Sequence, residues 1–477
     1  MEESLTPADH VIVIFGATGD LARRELLPAL TNLEQAGLMP RNYRVIGTAR
    51  SQMSDEEFRE LARGAVDEFG RAELSDDSWK DFATRLSFLS HDFGPDDTEP
   101  LEAAVRAKEE EIGGEVRRLF YLAVPPEAFE SITKGLGKCG LADRSRTVFE
   151  KPFGTDLASA RRLDGVVHQV FDESQVYRID HFLGKETVQN IWALRFANGM
   201  FEPVWNRRYI DHVQIDVPED LDVGERASFY ESTGAFKDMV VTHLFQVLSV
   251  VAMEPPSSLK PEALVEEMVK VLQAAVPLDP KDVLRGQYRG YRDTEGVNPG
   301  SETETFVAAR LRVDNWRWSD VDFYLRTGKR MAEAHAQVTL AFRRPPQRMF
   351  KGIPEAGFGH DHVTLELGPH EGVSLAFMAK EPGPDISLAP GRMDFQYDDS
   401  FQADLIGPYD RLIHDALTGD PTLFISADAV ERAWELCDKV IADPPPLHSY
   451  EQGSWGPKEI DDFITPHTWH LPTRTHP

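Results

Sequence analysis

Two polar residues, far apart in the chain, have the chemistry of a general base and its partner. His243 interrupts an apolar segment, Phe236–Met253, which the sequence predicts as a buried helix. A buried polar group needs a partner or a task, and a neutral imidazole near pH 7 can accept a proton. Asp180, at the end of a predicted strand, carries the charge to orient such a ring. The sequence alone leaves open whether His243 is a core histidine whose hydrogen bonds are satisfied within the protein or a catalytic base.

A second group of residues has the charge to hold an anion. His181 and Lys185 are four residues apart, so they would share a face if the turn between them were helical. Both would then point to one anion near the start of the predicted helix Lys185–Phe196, which favours a phosphate. Lys151 follows the predicted strand Thr147–Glu150 and would direct a cation into the crevice at the strand ends. Solvated surface residues are the alternative interpretation for all three.

A glycine-rich turn near the N-terminus has the residues of a dinucleotide site. The apolar run His10–Phe15 predicts a buried strand, and a helical pattern of leucines follows the turn Gly16-Ala17-Thr18-Gly19-Asp20-Leu21-Ala22. Glycine permits positive φ and close backbone approach, and the helix N-terminus offers N–H groups to a pyrophosphate. The spacing G-x-x-G-x-x-A departs from G-x-G-x-x-G. The prediction of a dinucleotide site therefore depends largely on the strand before the turn and the helix after it.

The residue after the second predicted strand indicates which dinucleotide binds. An NAD site places Asp or Glu there for the ribose 2′-hydroxyl, whereas this chain has Arg50 after Tyr43–Thr48. A guanidinium suits the additional 2′-phosphate of NADP. The sequence therefore predicts NADP, with NAD left open as a secondary coenzyme and a solvated arginine as the alternative.

The order of the predicted elements gives the architecture that must position these residues. In the first part strands alternate with helices, which indicates a Rossmann-like, doubly wound parallel sheet with ligands at the carboxyl ends of its strands. The second part predicts a larger α+β domain on a mostly antiparallel sheet, whose exposed face commonly forms a dimer interface. The predicted domains are residues 1–184, which bind the dinucleotide, and 185–477, which bind substrate and dimerise.

Composition excludes several classes of function. The 477 residues carry a formal net charge of −29, which disfavours nucleic acid and anionic membranes as partners. The most apolar candidate for a membrane span, Val240–Met253, is shorter than the ~20 residues that a span needs, and the N-terminus lacks a signal-peptide pattern. The two cysteines, Cys139 and Cys437, predict neither a disulfide framework nor a cysteine-rich metal site. They favour a reducing, cytoplasmic location.

Several motifs together resemble the glucose-6-phosphate dehydrogenase family. The glycine-rich turn is similar to the coenzyme turn of that family, and Arg178-Ile179-Asp180-His181-Phe182-Leu183-Gly184-Lys185-Glu186 resembles its active-site signature. Further motifs match in family order: 150–154, 238–244, 314–318, 326–329 and 453–457. The resemblance implies NADP-dependent oxidation of glucose 6-phosphate at C1 to 6-phosphoglucono-lactone, the first step of the oxidative pentose phosphate pathway. It also implies a homodimer or homotetramer and no metal.

The resemblance implies a role for each site residue. His243 would take the proton of the C1 hydroxyl and Asp180 would orient it, while hydride passes to the nicotinamide. His181 and Lys185 would bind the 6-phosphate, and Lys151 would bridge substrate and coenzyme. The positions that would hold sugar hydroxyls are Glu219, Asp238 and Lys329. The coenzyme positions are Gly16, Ala17, Thr18, Gly19, Asp20, Leu21, Arg50, Tyr121 and Lys151.

Three positions depart from the family pattern. Phe182 stands where the family commonly has tyrosine, and Gly368 stands where it often has glutamine. Ala334 replaces an expected basic residue, with His335 next to it as a substitute. All three changes remove polar contacts to the substrate, so we expect an intact reaction with weaker or altered recognition of the sugar phosphate.

Two alternative functions stay open at this point. The first is a related dehydrogenase that acts on a different sugar or amino-sugar 6-phosphate, which the three departures favour. The second is a catalytically idle regulatory subunit that binds coenzyme, against which Asp180, Lys185 and His243 argue. Turnover with a panel of sugar phosphates separates them.

Overall fold

The computed structural model describes residues 6–71, 74–224, 227–347, 361–400 and 407–471. The chain forms two compact units. The first comprises Met1–Gly184, Ser257–Val265 and Leu405–Glu431, and the second comprises Lys185–Pro256, Glu266–Asp404 and Arg432–Pro477. The units are defined only by which parts of the chain pack together. The division into independent domains at 1–184 and 185–477 therefore stays a prediction.

A seven-stranded sheet forms the core of the first unit. Its strands are β1 (His10–Phe15), β2 (Tyr43–Ala49), β3 (Leu86–Ser90), β4 (Arg117–Leu122), β5 (Ser145–Phe149), β6 (Val176–Ile179) and the short Phe424–Ile425. Their order is Phe424–Ile425, β6, β5, β4, β1, β2, β3, and only Phe424–Ile425 is antiparallel. The chain leaves β1 in one direction for β2 and returns to its other side for β4. This reversal creates a crevice at the carboxyl ends of β1 and β4, and the predicted doubly wound parallel sheet is confirmed.

Helices cover this sheet. They are α1 (Leu27–Gln35), α2 (Asp55–Phe69), α3 (Asp76–Ala83), α4 (Glu99–Ile112), α5 (Phe129–Lys138), α6 (Leu157–Val167) and a later helix, Pro408–Thr418. A π-helical turn, Ala22–Leu26, precedes α1. Helix α2 shows how local sequence sets these bounds: Ser54 and Glu57 form a reciprocal capping box at its start.

A nine-stranded, mostly antiparallel sheet forms the core of the second unit, as predicted. Its strands are β7 (Ile210–Pro218), β8 (Val283–Tyr288), β9 (Phe306–Arg312), β10 (Asp322–Gly328), β11 (Ala336–Phe342), β12 (His362–Gly368), β13 (Glu371–Lys380), β14 (Leu388–Gln396) and Leu447–Tyr450. Their order is β14, β13, β12, β11, β7, β10, β9, β8, Leu447–Tyr450. Two neighbouring pairs are parallel, β7 with β10 and β8 with Leu447–Tyr450. The β7–β10 pair therefore brings two carboxyl strand ends together in the middle of the sheet.

The second unit also contains an apolar helical run. Helix α7 (Glu186–Phe196) comes first in this unit, and the run itself consists of α8 (Ala227–Ala235), the π-helical segment Phe236–Leu244 and α9 (Phe245–Ala252). Taken together, Ala227–Ala252 is long and apolar enough to cross a membrane by length and composition, and 89% of its most apolar window is buried inside the protein. The predicted apolar segment Val240–Met253 covers the end of this longer run, and the burial of the run is that of a core helix, as predicted. The helices not yet named are Pro261–Ala274, Tyr397–Ser400, Ala427–Ala442 and Ile460–Ile464.

Candidate active site

The glycine-rich turn lies at the crevice between β1 and β4. Gly16 has a φ of 78°, and a Cβ there would lie 2.2 Å from the carbonyl oxygen of Ala123, the residue after β4. Only glycine avoids both the strained backbone and this clash. The Gly16 N–H donates to Thr48 O at 2.8 Å, and the Gly19 N–H donates to Gly16 O at 2.9 Å. The tight turn and the helix start after it match the backbone of a pyrophosphate-binding loop.

The end of β2 lies beside this turn. Thr18 Oγ1 and Ser51 Oγ are 3.3 Å apart, which links the turn to the residues that follow β2. Arg50 stands in the same stretch with an exposed side chain, and Asp20 forms an exposed ion pair with Arg24 at 2.7 Å. An exposed guanidinium at this position is accessible to the 2′-phosphate of a dinucleotide.

The ends of β4 and β5 add a buried acid next to a lysine. The Tyr121 hydroxyl donates to Glu150 Oε1 at 2.6 Å. Burial raises the pKa of Glu150 to about 7, although the Tyr121 hydrogen bond and the charge of Lys151 oppose the shift. Tyr121 and Lys151 were predicted as site residues, whereas Glu150, which contacts Tyr121, was not. The parallel pairing of β4 with β5 sets Leu122 opposite Phe149 and so brings Glu150 beside Tyr121.

Asp180 follows β6 and is almost fully buried, with 1% of its surface exposed. Its Oδ1 accepts the Phe182 N–H at 2.8 Å, and its charge also raises the pKa of Glu150. Residues 181–184 form a turn and α7 begins only at Glu186. The helical turn on which a shared face of His181 and Lys185 depended is therefore not formed, and their binding of one anion stays a prediction.

His243 lies in the π-helical segment of the second unit and is 1% exposed. The segment begins after Gly234, whose φ is 65° and whose position leaves no room for a side chain: a Cβ would lie 2.4 Å from Glu304 Oε1. This carboxylate accepts the Phe236 N–H at 3.1 Å and so satisfies a free donor of the helix start. π-Helical turns are frequent at functional sites, and this one carries both Asp238 and His243.

The parallel pair β7–β10 brings Glu219 and Lys329 together. Pro218 is opposite Gly328 in the register, so the next residues on both strands meet, and Lys329 Nζ donates to the Glu219 carboxylate. Tyr230 lies beside them, with Lys329 Nζ 5.7 Å from the centre of its ring.

Tyr230 also connects this pair to Asp238. Burial raises the pKa of the Tyr230 hydroxyl, and the negative charges of Asp238 and Glu219 raise it further. Two of the residues predicted to hold sugar hydroxyls, Glu219 and Asp238, therefore act electrostatically on one buried tyrosine, and the third, Lys329, lies over its ring. Tyr230 was not predicted as a site residue, because no motif or spacing in the sequence marks it.

Lys185 lies immediately before α7, and α7 packs against β12. A Cβ built on Gly368, at the end of β12, would lie 3.9 Å from Lys185 Nζ. A longer polar side chain at residue 368 would therefore extend near this ammonium group. His335, beside the missing basic residue at 334, is partly buried, and burial lowers its pKa. Its Nε2 has no hydrogen-bond partner among the described residues.

Comparison with known proteins gives one consistent family. The model described as "Glucose-6-phosphate dehydrogenase, NAD binding domain" matches residues 13–190, and the corresponding C-terminal domain matches residues 192–470. The chain is 42% identical to glucose-6-phosphate 1-dehydrogenase 2 of Mycobacterium tuberculosis, over 97% of this chain and 94% of that protein. It is 39% identical to glucose-6-phosphate 1-dehydrogenase of Treponema pallidum, over 98% of this chain and 96% of that protein.

Solved structures show the same likeness in three dimensions. A glucose-6-phosphate 1-dehydrogenase from Mycobacterium avium superposes with a TM-score of 0.87 at 37% identity, covering 98% of this chain and 99% of that one. A glucose-6-phosphate dehydrogenase in complex with its substrate glucose 6-phosphate gives a TM-score of 0.89 at 32% identity, covering 98% of this chain and 100% of that one. Both likenesses extend over nearly the whole chain.

Proposed function

Because this chain belongs to the glucose-6-phosphate dehydrogenase family, we propose the roles by which its residues oxidise glucose 6-phosphate with NADP. The observation that carries the function is the likeness, over 98% of the chain, to the structure that holds glucose 6-phosphate. In the reaction C1 loses a hydride to the nicotinamide and its hydroxyl loses a proton, so the hemiacetal becomes a lactone. The coenzyme supplies the redox chemistry, and the protein supplies position and charge.

We propose that His243 removes the hydroxyl proton. Hydride leaves C1 readily only as the O–H proton departs, so the base must act in the same step. A neutral imidazole is suited to this task near pH 7. Asp180 would hold the ring in the required tautomer and stabilise the imidazolium that forms. Its almost complete burial supports this role, since a carboxylate away from water interacts strongly with a neighbouring cation.

We propose that charged residues hold the substrate. His181 and Lys185 would bind the 6-phosphate, and Lys151 would contact both substrate and coenzyme. Glu219, Asp238 and Lys329 would bind the sugar hydroxyls. The contact of Glu219 with Lys329 supports this proposal, because the pair offers an acceptor and a donor to adjacent hydroxyls. Tyr230 would position them through its ring and its hydroxyl.

The first unit would bind NADP through the glycine-rich turn, residues 16–21. The pyrophosphate would contact the turn at Gly16 and Gly19, and Arg50 would contact the 2′-phosphate. Tyr121, near the end of β4, and Glu150, directly after β5, would lie at the nicotinamide side of the crevice, because β4 is the neighbour of β1 and β5 pairs with β4.

Weak binding of the sugar phosphate is the first expected result. The three departures, Phe182, Ala334 and Gly368, each remove a contact worth ~1 kcal/mol, so together they raise KM on the order of 100-fold. His335 compensates little, because burial lowers its pKa and favours the uncharged ring. The measurement is NADPH formation with glucose 6-phosphate, other hexose and amino-sugar 6-phosphates and free glucose.

The outcomes of this substrate panel distinguish the candidates. Turnover of glucose 6-phosphate with a raised KM supports the proposal, and sub-millimolar saturation by glucose 6-phosphate alone contradicts the effect of the departures. Faster turnover of another 6-phosphate would favour a related dehydrogenase. No turnover of any sugar phosphate would favour a regulatory subunit.

Coenzyme choice gives the second expected result. We expect Arg50→Ala to weaken NADP binding roughly 10- to 150-fold, the equivalent of a charge-assisted contact of ~1.5–3 kcal/mol, and to leave NAD binding nearly unchanged. The measurement is KM for each coenzyme. Arg44→Ala is the control, because Arg44 lies on β2, the strand that Arg50 follows, and pairs with Glu111. Equal losses of affinity for NADP and NAD would show that Arg50 does not bind the 2′-phosphate.

We also propose that the chain assembles as a homodimer or homotetramer in the cytoplasm. Both cysteines are free thiols, which suits a reducing compartment. Light scattering tests the assembly, and a mass equal to one chain of 53.7 kDa would refute it.

A further inference from the structure

Three candidate metal ligands meet in the second unit, and none of them belongs to the proposed catalytic machinery. Asp211 and His212 lie at the start of β7, and His467 follows the helix Ile460–Ile464 near the end of the described chain. One ligand atom of each lies within 4.8 Å of the others. Asp211 Oδ2 is 3.1 Å from His212 Nδ1 and 3.3 Å from His467 Nδ1.

The separations fit a single ion. Three atoms spaced in this way can share one ion at the ~2.0–2.2 Å that zinc keeps to imidazole nitrogen and carboxylate oxygen. The His212 ring is fully buried, whereas the side chains of Asp211 and His467 are 21% and 16% exposed. An ion can therefore enter from solvent and reach a ring that the core holds in place.

Hydrogen bonds hold the segment that carries His467 against β7. Gln214 Nε2 donates to Thr468 O at 2.8 Å, and Gln214 Oε1 accepts the His470 N–H at 2.9 Å. Arg343 Nη1 lies 3.9 Å from the other carboxylate oxygen of Asp211, Oδ1, which leaves Oδ2 directed at the two rings. Such outer contacts orient metal ligands and are part of a metal site.

Further imidazoles lie next to the three ligands. The His470 ring centre is 6.0 Å from that of His212, and His362 is 4.2 Å from His470. His470 is three residues after His467, so the pair forms an H-x-x-H motif close to Asp211 and His212. Imidazoles with a carboxylate favour zinc and related transition ions, whereas magnesium and calcium prefer oxygen ligands alone.

We propose that Asp211, His212 and His467 bind one divalent transition ion of the zinc class, with water or His470 completing the coordination. The ion would fasten residues 467–470 to β7 and so stabilise the folded chain. Binding has a cost in this network. Gln214 Nε2 lies 3.0 Å from His212 Nε2, so the ring proton lies on Nδ1. For Nδ1 to bind the ion, this proton must move to Nε2, and the contact between Nε2 and the Gln214 amide nitrogen is lost. We therefore expect micromolar rather than picomolar affinity.

Calorimetric titration of the full chain with zinc tests this proposal, and visible absorption of the cobalt form reports the ligand geometry. We expect one zinc per chain and a cobalt spectrum of low coordination number. His467→Ala and Asp211→Asn, both at partly exposed positions, should each weaken zinc at least tenfold. His448→Ala is the matched control, because His448 forms a separate pair with Glu459 at 3.2 Å.

Melting experiments give a second measurement. Zinc should raise the Tm of the parent chain and of His448→Ala, and it should leave the Tm of His467→Ala unchanged. Circular dichroism confirms that each variant is folded. The proposal is overturned if the parent shows no saturable zinc uptake, or if His467→Ala and Asp211→Asn bind zinc as tightly as the parent.

Discussion

Replacing His243 with asparagine is expected to lower kcat for glucose 6-phosphate oxidation by ~10²- to 10⁴-fold, the usual cost of losing a general base. The effect should fall on kcat, with KM nearly unchanged, because the base acts in the transition state and contributes little to ground-state binding. Asparagine keeps a polar group of similar size at a position that is 1% exposed, so it avoids a large cavity. Steady-state NADPH formation measures both constants.

The control for this variant is His448→Asn, the same chemical change at a histidine outside the proposed site. Both variants should keep the parent's Tm and its affinity for NADPH, which shows that the fold is intact. A kcat of His243→Asn within tenfold of the parent value would exclude His243 as the base.

Replacing Asp180 with asparagine is expected to have the second largest effect, a loss of kcat of ~10²-fold or more. Asparagine can still accept the Phe182 N–H that Asp180 Oδ1 accepts at 2.8 Å, so the turn after β6 should persist. What is lost is the negative charge that would stabilise the imidazolium and select its tautomer. Asp143→Asn is the control, since Asp143 is an exposed carboxylate beside Arg144.

The division between kcat and KM tests the role of Asp180. A loss in kcat at constant KM fits a residue that orients the base. A raised KM for glucose 6-phosphate with an unchanged kcat would instead make Asp180 a substrate ligand and would leave His243 without its proposed partner.

Much of the first unit was predictable because its local signals agree. The run His10–Phe15 is apolar after its first residue and is buried throughout, and Asp55–Phe69 begins at a capping box. The glycine turn follows β1 directly, so its place at the sheet edge required only the alternation of strands and helices.

β7 was not predicted, although it lies in the middle of the second sheet. Its polar residues His212, Gln214 and Asp216 are at most 1% exposed, and such a pattern in sequence is typical of a solvated strand face. Their partners are distant in sequence: Gln214 bonds to Thr468 O, and Asp216 forms a buried pair with Arg326. No local spacing reveals contacts of this range.

The same limit applies to the site. The roles of Arg50 and the glycine turn were predicted from their positions after predicted strands. The roles of Glu219 and Lys329 came only from the family resemblance. Their direct contact depends on the pairing of β7 with β10, which the sequence did not reveal. Tyr230 and Glu150 were missed for the same reason, because each becomes significant only through neighbours on other strands or helices.

The double variant Asp180→Asn/His243→Asn provides the most direct test of the central claim, that these two residues act as one catalytic unit. The measurement is kcat of the parent, the two single variants and the double variant under the same conditions. We predict that the double variant is no slower than about the slower single variant, because removing one member already disables the unit. Losses that multiply would show that the two residues act independently and would contradict the mechanism.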